Sequence, residues 1–128
     1  MDSKSFEHVQ KNLIPELANL PNAFSILCYV DGVAAGLANC FFGFSTFKCQ
    51  PLVNIHDVVV VKQFRGQGLS QRLLDEVQRV AMKRNCCKLT LEVLEGNETA
   101  KKAYSNFGFQ AYQLGAENGN ALFWQKAL

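Results

Sequence analysis

Val58 to Val61 run into Gln63-Phe64-Arg65-Gly66-Gln67-Gly68-Leu69, and an amphipathic helix opens directly behind them. Four consecutive β-branched residues read as a buried strand. Gly66 and Gly68 allow the backbone to turn sharply and let a ligand approach it closely. The helix behind them points its unpaired N–H groups and its positive dipole end back toward the turn. Strand, glycine turn and helix start together make a seat for a phosphate or pyrophosphate.

The rest of the chain can be read around that junction. Phe6, Val9, Leu13, Ile14 and Leu17 recur at helical spacing, which predicts a helix over 3–19 that Pro15 ends or kinks. Phe24, Ile26 and Cys28 alternate with Ser25, Leu27 and Tyr29 in a strand, and Asp31-Gly32 is a hairpin turn. The return strand covers about 33–47, with Gly36 and Gly43 at bulges or bends. After a loop at 49–52, a third strand spans 53–61. Leu69, Leu73, Val77 and Val80/Ala81 mark the buried stripe of a helix from Gly68 to about Arg84. A strand at 89–94 follows. Asn97 is a plausible N-cap for a helix that Gly108 closes, and 109–114 pairs with 121–126 as a last hairpin. The strand–helix–strand passage from Val53 to Leu94 requires parallel neighbours, while the hairpins make the remainder antiparallel. The fold class is therefore α/β, a mixed, mostly antiparallel sheet with flanking helices, in a single domain over 1–128.

Bulk properties exclude several classes. With 13 basic and 11 acidic residues, the net charge of +2 is too small to argue for nucleic acid. No apolar run approaches a membrane span, because Asn39, Gly43 and Ser45 interrupt the longest candidate. The first residues lack the apolar stretch of a secretory signal, so a cytoplasmic setting is expected. The 5 cysteines form no C-x-x-C pair and stand at no zinc-ligand spacing from His8 or His56. No metal site is expected, and the cysteines read as reduced thiols acting as small hydrophobes.

The glycine turn alone admits three readings. A dinucleotide fingerprint needs a third glycine where Gln71 stands, although Glu92 suits its acidic position. A tight strand-to-helix turn without a ligand is the plainest reading. The third comes from resemblance. Gln63-x-x-Gly66-x-Gly68 resembles the R/Q-x-x-G-x-G/A signature of the Gcn5-related N-acetyltransferase (GNAT) superfamily. Asn97, Ala100, Tyr104, Gly108 and Phe109 match a second pattern of the same families, N-x-x-A-x-x-x-Y-x-x-x-G-F. The resemblance is good over about 53–112.

That resemblance implies an acetyl-coenzyme A co-substrate and a sheet with a V-shaped splay, the acyl-CoA N-acyltransferase fold. The backbone of Arg65, Gly66, Gln67, Gly68, Leu69 and Ser70 would hold the pyrophosphate. Arg65 either adds charge through its side chain or is a solvated surface arginine. Val58 and Val60 would offer backbone groups to the pantetheine arm, and Asn97 would bond to pantetheine, cap its helix, or do both. Acetyl transfer needs a neutral amine, a donor for the oxyanion and a proton for the departing thiolate. Tyr104 matches the family's general acid and is otherwise a core aromatic with a polar handle. Glu92 is the first candidate base, because a carboxylate within an apolar central strand needs water or a partner. The segment around it resembles ribosomal-protein N-terminal alanine acetyltransferases, and its other reading is a paired structural carboxylate. His56 and Asp57 are the second candidates: they lie on opposite faces if the strand is regular, a bulge of the kind the family shows near this point would change which one reaches the slot, and the other reading of His56 is a satisfied structural residue.

The acceptor is expected to be a small-molecule amine or a peptide N-terminus. Only a short segment precedes the first strand, so a bulky substrate could enter, or a second subunit of a homodimer could close the slot. Phe41, Phe42, Phe44 and Phe47 read as core, with a cleft or dimer surface as the alternative. A non-catalytic acyl-coenzyme A-binding domain of the same fold is the competing functional class.

Overall fold

The structure is a computed structural model describing the backbone from Ser3 and the side chains from Glu7 to Leu128, so the expected role of Phe6 lies outside the described residues. Helix α1 (Ser3–Ala18) packs against strand β1 (Ala23–Val30). It runs through Pro15 instead of ending there. Pro15 cannot donate to the carbonyl of Lys11, but both residues are exposed, so water can take the orphaned acceptor. The helical stripe is only partly covered: Leu17 is half-buried, while Ile14 is exposed.

Asp31 and Gly32, both at positive φ (49° and 79°), turn β1 into β2 (Val33–Ser45). Two positive φ values in a two-residue loop match the twist of the strands they join. β3 (Gln50–Val60) returns antiparallel, starting earlier than expected because Gln50 to Leu52 pair with Gly43 to Ser45. Helix α2 (Leu69–Lys83) lies across β1, β2 and β3. Its Leu69, Leu73, Leu74, Val77 and Ala81 are buried with Ala38, Cys40, Val53 and Ile55 of the sheet, and this is the core. Gly36 is not at a bulge; the extra residue is its neighbour Ala35. An added Cβ at Gly36 would come within 2.9 Å of Val59 O and 3.3 Å of Leu73 Cδ1, so its smallness lets helix and sheet approach. Gly43 likewise sits in regular register, opposite Leu52.

β4 (Leu89–Leu91) runs parallel to β3, giving a four-stranded mixed sheet in the order β1-β2-β3-β4. It is three residues shorter than expected. The strands anticipated at 109–114 and 121–126 are also absent as ladders, leaving one bridge between Gln113 and Asn120. Pairing of β3 with β4 ends at Ile55–Leu91, yet β3 continues to Val60. β3 thus runs on past the end of its pairing with β4, in keeping with the open, splayed sheet that the resemblance implies.

The chain divides into two compact units, one ending at Leu91 and the other running from Glu92 to Leu128. The second holds α3 (Glu98–Phe107) and a turn at Ala116–Asn118. Asn97 Oδ1 accepts from the Ala100 N–H at 3.1 Å, and Gly108 closes α3 at φ 113°. No helix among the described residues is long and apolar enough to cross a membrane.

Candidate active site

Ladder alternation decides which way the end of β3 faces. Gly36 lies opposite Val60, and Val61 N–H donates to Ala35 O at 2.8 Å. Gly36–Val60 is therefore a non-hydrogen-bonded pair, and so is Ala38–Val58 two residues back. The main-chain groups of Val58 and Val60 point away from β2, toward the edge that β4 leaves uncovered. Arg65 Nε donates to Val60 O at 3.0 Å, so the chain itself uses one of these acceptors.

Beyond β3 the chain makes a single 3-10 turn, Lys62–Phe64, and then the glycine corner. Gly66 and Gly68 have φ of 81° and 74°, where an L side chain is strained. A Cβ built on either meets nothing within 4 Å, so the space above this backbone is open. Gly68 is the N-cap of α2, and no side chain caps the helix. Arg65 and Gln67 are exposed, Ser70 is half-buried, and Leu69 turns its side chain into the core. The head of a fifteen-residue helix, with no side-chain cap, thus stands beside two glycines with open space on their Cβ side, an arrangement suited to an anion.

A second bulge shapes the middle of β3. Asn39 pairs with Asp57 but Cys40 pairs with Ile55, which leaves His56 as the extra residue. Ile55 is buried, whereas His56 and Asp57 are both exposed. The bulge reverses the alternation, so Asp57 shares a face with Asn39 instead of lying with Ile55 against α2. His56 Nδ1 is 3.6 Å from Asp57 Oδ1, and its ring meets Phe41 edge-on with centroids 5.8 Å apart.

The remaining candidates belong to the second unit. Glu92 is exposed and lies just past β4. The expected carboxylate within a central strand is thus not found, and the desolvation argument for Glu92 as base loses its premise. Asn97 stands at the N-cap of α3, and Tyr104 lies seven residues further on within the helix. Tyr104 is half-buried, and burial pushes its phenol above the ordinary tyrosine range. Its ring stands edge-on to Phe109, with centroids 5.9 Å apart.

Two residues emerge that the motifs did not indicate. Asn39 Nδ2 donates to Asp57 Oδ2 at 3.1 Å, and Ser25 Oγ donates to Asn39 Oδ1 at 2.7 Å. The signal in the sequence was an asparagine inside the apolar run from Leu37 to Phe42.

Comparison with known proteins agrees with this geometry. Residues 2–109 match the model of the acetyltransferase (GNAT) family. A thialysine N-epsilon-acetyltransferase of Bos taurus is 30% identical over 98 residues, covering 77% of this chain and 54% of that protein. The chain spans about half the length of the curated relatives it matches. Among solved structures, a ribosomal-protein-alanine N-acetyltransferase of Brucella melitensis superposes with a TM-score of 0.72 at 20% identity, covering 87% of this chain and 83% of that one. An aminoglycoside N-acetyltransferase in complex with CoA gives 0.71 at 24% identity, covering 100% and 97%. At such identities these two structures speak for the fold alone.

Proposed function

Since the chain belongs to the acetyltransferase (GNAT) family, we propose that it moves an acetyl group from acetyl-coenzyme A directly to a primary amine. The observation that carries this reading is the open glycine corner, set where β3 runs past its partner and α2 begins uncapped. The backbone from Arg65 through Gly66, Gln67, Gly68, Leu69 and Ser70 holds the diphosphate, and the charge of Arg65 favours it. The outward main-chain groups of Val58 and Val60 take the pantetheine arm in the manner of an added strand, with the Asn97 amide as a further contact. The co-substrate supplies an activated acyl carbon on a thiol leaving group.

The acceptor must lose a proton before it can attack, and a side chain of the protein receives it. His56 with Asp57 on the β3 bulge, and Glu92 beyond β4, are the groups suited to this. Tyr104 serves as acid: a phenol whose burial favours its neutral form stays protonated through neutral pH and can give its proton to the departing thiolate. The acceptor is a small-molecule amine or a peptide N-terminus. The names of the relatives support the amine class, since thialysine, aminoglycosides and ribosomal-protein alanine all offer one. A cytoplasmic setting, where the thiols stay reduced, belongs to the same proposal.

The test begins with the ligand. Coenzyme A at about 100 times its dissociation constant should stabilise the fold by roughly 2.7 kcal/mol, and NAD should not. A panel of polyamines, aminoglycosides, amino acids and peptides is then screened for thiol release from acetyl-coenzyme A. No thermal shift with coenzyme A, or no release with any amine class, would sink the assignment.

A further inference from the structure

An exposed carboxylate on a strand ordinarily samples several rotamers, and a group that must meet a substrate amine gains from being held in one of them. Ser25, Asn39 and Asp57 stand directly opposite one another on β1, β2 and β3. Their side chains form a hydrogen-bonded row, from Ser25 Oγ to Asn39 Oδ1 at 2.7 Å and from Asn39 Nδ2 to Asp57 Oδ2 at 3.1 Å. The direction of the row is fixed by chemistry. An ionised carboxylate only accepts, so Asn39 must turn its NH₂ toward Asp57, which leaves its oxygen for the serine hydroxyl. Asp57 then divides its two oxygens: Oδ2 is held by Asn39, and Oδ1 faces the His56 imidazole. The bulge makes this possible, because in a regular strand Asp57 would lie under α2.

We infer that Asn39, oriented by Ser25, is a positioning residue that sets the Asp57 carboxylate and, through it, His56 for removal of the acceptor's proton. This rests on the acetyltransferase reading above. It also assigns the base to the β3 bulge in preference to Glu92. In the step concerned, an N–H bond of the acceptor ammonium breaks and its electron pair remains on nitrogen as the attacking lone pair. The proton goes to the His56–Asp57 pair, from which water removes it. Asn39 touches neither substrate nor co-substrate; its part is to keep one carboxylate oxygen occupied and the other aimed.

Steady-state kinetics of Asn39→Leu, Ser25→Ala and Ser25→Thr test this with an amine that the wild type accepts. Asn39→Leu should lower kcat about tenfold, a fraction of what a general base contributes, with the KM for acetyl-coenzyme A unchanged. Ser25→Ala should lower kcat by about threefold, and Ser25→Thr, which keeps the hydroxyl, should restore it. A kcat for Asn39→Leu within twofold of wild type overturns the inference while leaving the transferase reading intact. So does a fall in kcat accompanied by a rise in the acetyl-coenzyme A KM, which would make Asn39 a support of the glycine corner. If Asn39→Leu does not fold, the exposed Ser25 decides, and equal kcat for its alanine and threonine variants overturns the inference. A wild type inactive on every amine removes the parent reading instead, and this one with it.

Discussion

Tyr104 is where the chemistry of one residue can be separated most cleanly from binding. It sits on α3 and packs edge-on against Phe109, and burial holds its phenol above the ordinary range. The sign follows directly. The folded state binds this proton more tightly than the unfolded chain, so the group's contribution to stability is present below the ordinary phenol range and is lost as pH rises through the raised folded value. An acid role is accordingly available at neutral and mildly alkaline pH. Tyr104→Phe keeps the ring contact and removes the proton, so kcat should fall about 10- to 100-fold with coenzyme A affinity nearly unchanged. Calorimetric titration with coenzyme A beside steady-state rates makes the comparison, and an unaltered kcat would remove the tyrosine from the mechanism. The Asn97 cap, the place of Tyr104 on α3 and the turn at Gly66 and Gly68 were legible in the sequence because their spacing is local, whatever their part in the chemistry. Asn39 was not, since its meaning depends on Ser25 and Asp57, which only strand pairing brings beside it. Cys40 shows the complementary case: it was readable as a buried thiol, and burial together with the nearby Asp57 charge pushes it up to about 12.

At the level of elements, the contact between α2 and the sheet supports the corner that α2 presents. Gly36 is the narrow point of that contact, with Val59 O and Leu73 Cδ1 on the side where a Cβ would go. Gly36→Ala should therefore destabilise the protein by about 1–3 kcal/mol through overpacking. Gly96 is the matched control, since it has open space and no positive φ. Gly96→Ala should be neutral or stabilising by up to about 1 kcal/mol. Urea midpoints of the two variants check this, and equal midpoints would mean that the helix can lift away without penalty. The helices and the first three strands were readable because hydrophobic period and turn residues specify them from within the segment. The strands at 92–94, 109–114 and 121–126 were not: their alternation is real, but a strand forms only where another edge accepts it. The bulge at His56 was indicated only by the family resemblance, because a one-residue excess belongs to the pair of strands and not to either sequence.

Across the whole chain, burial is unevenly shared, and this has a consequence for folding. Every buried residue described, from Ala35 to Ala81, lies in the unit that ends at Leu91. From Glu92 onward none is buried, and Leu94, Leu122, Phe123 and Trp124 are all well exposed. Over these residues, burial therefore contributes little to stability. Their local order comes from the Asn97 cap, the Gly108 terminus, the stacked rings of Phe107 and Phe109, and the Gln113–Asn120 bridge. Such features specify conformation without much hydrophobic stabilisation. Residues 92–128 should therefore open at lower free energy than the rest, while remaining part of one proposed domain for function. Amide exchange in α3 should be about 10- to 100-fold faster than in α2, a difference of roughly 1.4–2.8 kcal/mol in opening free energy. Hydrogen exchange read by mass spectrometry on peptides covering 69–83 and 98–107 measures both helices in one experiment. Equal protection would show that the second unit opens only with the core. Adding coenzyme A then connects folding with function: if Asn97 contributes to holding it, protection of α3 should rise toward that of α2, whereas a rise confined to α2 would limit the ligand to the glycine corner.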